Sequence, residues 1–120
     1  MIRFELLGDA GVLVLEPKST LSAEDFHEVS RTIDPYIREK GKLTGLLIEA
    51  ASFPGWDSFG ALSEHLKFVY GHHRNIDRVA VVTDATFLKF APTIAQHFAH
   101  PEIRVFAGGE RVKALEWLQA

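Results

Sequence analysis

The chain has 120 residues and a formal charge of −3 with both signs mixed along it, a size that suits one domain burying on the order of 65% of its unfolded surface. It has no cysteine, which excludes a disulfide scaffold, thiolate metal sites and cysteine nucleophiles. It shows no basic stripe able to neutralise phosphates and no apolar run near the roughly 18 residues that span a bilayer, so nucleic-acid binding and an integral membrane protein are not expected.

The first residues carry no charged start, apolar run and small-residue cleavage site, so the expected setting is cytoplasmic, with residues 1–120 forming a single domain. Ile2 to Leu7 alternates and leans apolar, and Val12 to Glu16 is a short β-branched and leucine run. Gly8-Asp9-Ala10-Gly11 between them has the backbone freedom of a tight turn, which predicts a β-hairpin. Ser22 is a good N-cap with Asp25 three residues on, followed by Phe26, Val29, Ile33 and Ile37 as one apolar stripe. Pro35 should kink this helix or restart it, with Asp34 as cap, and Gly41 should end it.

Leu46-Leu47-Ile48 is a continuous apolar run, as in a strand covered on both faces. Helical spacing returns at Phe59, Leu62, Leu66 and Val69, with Asp57 as the expected cap. Val79 to Val82 is a second buried strand. A helix should follow from Asp84 through Phe87, Ala91, Ile94 and Phe98, interrupted at Pro92. Ile103 to Phe106 is a last strand, and Val112, Leu115 and Leu118 mark a closing helix. Helix-linked strands pair in parallel through right-handed crossovers, while the hairpin adds an antiparallel edge. The expectation is an α/β fold: a five-stranded mixed sheet with four helices.

Three segments give this order a family resemblance. They are Phe53-Pro54-Gly55-Trp56 between a buried strand and a helix, Arg78 to Thr83 after His72-His73-Arg74, and Arg104-Val105-Phe106 with the later Ala114 to Leu118. The chain resembles STAS domains in topology and, in these segments, the SpoIIAA-like proteins. The resemblance implies two separate roles. Antagonists of the SpoIIAA type change partners when a serine at the start of the helix after the third strand is phosphorylated. The SpoIIAA-like group is similar in fold to lipid-carrying domains of the Sec14 kind, which implies an apolar ligand.

Asp57-Ser58-Phe59-Gly60 resembles the Asp-Ser-x-Gly of the phosphorylated antagonists, with the bulky Phe59 as a departure. A phosphate on Ser58 would meet free N–H groups and the positive end of the helix dipole. The plainer alternative is that Asp57 caps the helix and Ser58 fills its first turn. For an apolar ligand, Phe53, Gly55, Trp56 and Phe59 are the expected binding residues, because a surface loop rich in aromatics needs a reason. Phe68, Phe87 and Phe98 sit at ordinary core spacing.

The six histidines show no metal-ligand spacing and are expected to face solvent, so no metal or other cofactor is expected. Ser58 and His65 lie about 10 Å apart along a helix axis, too far for direct proton transfer, and no Gly-x-Ser-x-Gly elbow is present. The sequence therefore points to a non-catalytic regulatory or binding module rather than an enzyme. Its expected partner is an apolar small molecule or a regulatory protein, and the hairpin edge or the aromatic loop could support a homodimer.

Overall fold

The computed structural model describes residues 1–51, 55–84 and 101–120. The hairpin forms where the pattern predicts it: β1 (Ile2–Leu7) pairs antiparallel with β2 (Val12–Pro17), from Leu7 opposite Val12 to Ile2 opposite Pro17. The turn needs Gly11 on two counts. Its φ is +70°, and a Cβ there would stand 2.8 Å from Thr44 Oγ1 and 3.1 Å from the Tyr36 hydroxyl.

Helix α1 (Ala23–Lys40) starts at the Ser22 cap, whose hydroxyl accepts from Asp25 N–H while the Asp25 carboxylate accepts from Ser22 N–H, and Gly41 closes it in the left-handed region. The predicted restart at Pro35 does not occur, and α1 runs through it unbroken. Pro35 and Arg31 are both exposed, so the carbonyl that loses its partner faces water instead of the core, which limits the usual penalty. Asp34 is not a cap; its carboxylate reaches across to His72 on the next helix at 2.6 Å.

Strand β3 (Leu43–Glu49), helix α2 (Phe59–His72), a 3₁₀ turn at His73–Asn75 and strand β4 (Ile76–Thr83) follow. Then come β5 (Glu102–Ala107) and helix α3 (Arg111–Gln119). The sheet order is β1-β2-β3-β4-β5, with every pair after the hairpin parallel. Three α-helices stand among the described residues, where the sequence predicts four. The one predicted from Asp84 to Phe98 lies outside them.

Alternation along the strands splits the core in two. Val12, Val14, Leu47, Ala80, Val82 and Phe106 pack on one face beneath Ala114 and Leu118 of α3. Leu13, Leu15, Leu46 and Val79 pack on the other against Val29 and Ile33 of α1 and Phe68 of α2. α3 comes so close that a Cβ on Gly45 would meet Leu118 Cδ2 at 2.9 Å and its Cβ at 3.0 Å. Among the described residues, no helix is long and apolar enough to cross a membrane.

Candidate functional site

The loop leading into α2 is tied down by its backbone. Leu21 N–H donates to Gly55 O and Asp57 N–H donates to Leu21 O, both at 2.8 Å, which makes Leu21 and Trp56 a one-rung parallel bridge. With the chain held there, Ser58 rather than Asp57 becomes the N-cap, and its Oγ accepts from Ala61 N–H at 3.1 Å. Asp57 is a correction to the predicted cap: its backbone is spent on the bridge and its side chain is exposed.

The same anchoring sets the rotation of α2, and it differs from the pattern's prediction. Phe59 is 83% exposed and Leu66 55%, and Tyr70 lies on the same outer stripe. The inward side carries Ala61, His65, Phe68 and His72. Ala61 is fully buried, His65 stacks on Phe26 of α1 at 4.8 Å, and Phe68 packs against the core. Small Ala61 and flat rings let α2 approach α1 and the sheet, where the bulkier stripe would not.

Between α2 and the sheet lies a cavity of about 330 Å³. Leu46, Ile48, Val79, Val81 and Ile103 of the three last strands form its floor. Its roof is Phe68, Val69 and three histidines, His65, His72 and His73. No Asp, Glu, Lys or Arg borders it among the described residues. The volume is at the small end of the roughly 300–1,000 Å³ usual for small-molecule sites, and the lining is of the expected apolar kind.

Both ring nitrogens of His72 are engaged, Nε2 with Asp34 Oδ1 at 2.6 Å and Nδ1 with Phe68 O at 2.7 Å. His65 is held differently. Trp56 Nε1–H donates to its Nδ1 at 3.0 Å, and burial pushes its pKa below the ordinary histidine value, so the ring is neutral at physiological pH. No group of three or more potential metal ligands converges among the described residues.

The residues expected from sequence to bind a ligand do not form this cavity. Gly55 and Trp56 are not among its lining residues, Trp56 bonds to the lining residue His65, and Phe59 points to solvent. Phe53 lies outside the described residues. The cavity's own residues were partly within reach of the sequence: the seven-residue spacing of His65 and His72 puts them on one helical face. Which face meets the sheet is not visible in the chain, so polar side chains default to solvent, and here that default fails.

A family model described as SpoIIAA-like matches residues 12–119. Among solved structures, the chain is similar to the crystal structure of an uncharacterised protein of the DUF3478 family with a SpoIIAA-like fold from Shewanella loihica PV-4. The TM-score is 0.75 and the identity 21%, over 98% of this chain and 92% of that one. At that identity the likeness shows the fold alone. Among curated proteins, none matches the chain in sequence.

Proposed function

The chain belongs to the SpoIIAA-like family, and from that premise we propose that it is a non-catalytic binding module taking a small apolar ligand between α2 and the sheet. The observation that carries this reading is the cavity of about 330 Å³ with an aliphatic floor and no Asp, Glu, Lys or Arg on its border among the described residues. Space of that kind gains affinity by removing apolar surface from water, at roughly 25 cal/mol per Å² before the costs of association. Hydrolytic chemistry is not supported by the nearby polar groups, because Ser58 and His65 stand seven residues apart along α2, about 10 Å along its axis and too far for direct proton transfer.

Native mass spectrometry of gently purified protein tests this, with Val81→Phe as the variant that fills the cavity. The expected result is an added mass that vanishes on denaturation, regained by stripped wild type from an added medium-chain alcohol but not by Val81→Phe. Equal uptake by both proteins would refute the cavity as the site.

A second reading is supported by Ser58, which is exposed at the N-cap of α2 with its oxygen already facing Ala61 N–H. Phosphate there would keep that bond and place close to two negative charges at the positive end of the helix. The exposed Phe59 adjoins the spot and Leu66 continues the same outer stripe, so a regulatory protein seated on that stripe would be released by Ser58→Asp. Undiminished capture of the same protein by Ser58→Asp would end this reading.

A further inference from the structure

Of the histidines on the cavity roof, His65 has one nitrogen committed and one open. The Trp56 indole can only donate, so the bond at 3.0 Å requires His65 Nδ1 to be an unprotonated acceptor. The neutral ring then carries its proton on Nε2. That nitrogen takes no hydrogen-bond partner among the described residues. It is not sealed in the packing either, since no fully buried side-chain nitrogen or oxygen goes unpaired among them. The ring is also fixed in plane: Phe26 stacks on it at 4.8 Å and 21°, and Trp56 lies against it at 5.9 Å.

We infer that His65 Nε2–H is the polar reader of the cavity, selecting a small neutral ligand that carries one hydrogen-bond acceptor, such as a ketone, ester or unionised acid. The inference rests on the cavity reading above. Trp56 acts as a positioning residue that sets the tautomer and holds the donor in place. A cation finds no acceptor on His65, and an anionic head finds no Lys or Arg on the border among the described residues, with His72 already paired to Asp34, so burying either is costly. Size adds a second limit. At about 30 Å³ for each water-sized group, the space takes on the order of ten heavy atoms, which excludes a diacyl lipid as a fully enclosed guest.

Acetophenone and isopropylbenzene test this, being nearly the same shape with and without a carbonyl oxygen. Their affinities are measured by NMR titration of wild type and His65→Phe. The ratio of the two, acetophenone over isopropylbenzene, should fall about tenfold in the variant, the worth of one hydrogen bond to a buried donor. Long-range ¹H–¹⁵N spectra of wild type make the inference testable even if the variant does not fold. They should show His65 as the Nε2–H tautomer, with that resonance moved by acetophenone and not by isopropylbenzene. An unchanged ratio, or an Nδ1–H tautomer, overturns the role of His65 and leaves the cavity reading standing. Failure of both probes to bind at millimolar concentration removes the cavity reading and the inference with it.

Discussion

Asp25 shows how a short-range signal becomes a stability term. It is only 9% exposed, and burial by itself would raise its pKa, but the Ser22 N–H and the α-amino group of Met1 at 3.2 Å more than offset this and hold the carboxyl below the ordinary aspartate value. The folded value lies under the unfolded one, so the stabilisation is present above about pH 4 and lost as pH falls through the depressed value. Asp25→Asn should lower stability at neutral pH and flatten the acid limb of a plot of urea midpoint against pH. A variant retaining the wild-type acid slope would show that other carboxylates govern it. The Ser22–Asp25 box and Gly41 were legible because capping depends on residues three or four apart. The choice of Ser58 over Asp57 was not. Both are good caps, and a contact with Leu21, more than thirty residues away, decided between them.

At the scale of elements, α3 is seated by close approach. Gly45 faces the Leu118 side chain at a distance that leaves no space for a methyl group, and Arg78 Nη1 fastens the helix by donating to Trp117 O at 2.6 Å. Gly45→Ala should therefore cost roughly 1–3 kcal/mol through overpacking, seen as a lower urea midpoint at unchanged m-value. In a Leu118→Ala background the same substitution should cost much less, because the clashing carbons are gone. Equal costs in both backgrounds would place the strain elsewhere. Strand identities followed from composition, since β2, β3 and β4 are apolar runs buried on both faces. The phase of α2 did not follow. Its sequence offers two stripes on opposite sides, and the more hydrophobic one, with Phe59 and Leu66, ended outside. Hydrophobic periodicity finds the helix but selects its inward face only when one stripe is clearly poorer than the other.

Across the whole molecule, the sequence by itself determined the element order, the mixed five-stranded sheet, the hairpin edge and the resemblance now matched over residues 12–119. These rest on local propensity, turn chemistry and the handedness of crossovers, all of which act over short stretches of chain. The tertiary structure alone decided which residues face one another. It carried Pro35 within an intact helix, turned Phe59 outward, and brought His65 from α2 against Phe26 from α1 and Trp56 from the loop. The cavity is of the same origin, since its floor comes from three strands and its roof from a helix whose rotation is set by a bridge to Leu21. A space between elements depends on how they pack, and packing is a property of distant pairs that no single stretch of sequence contains.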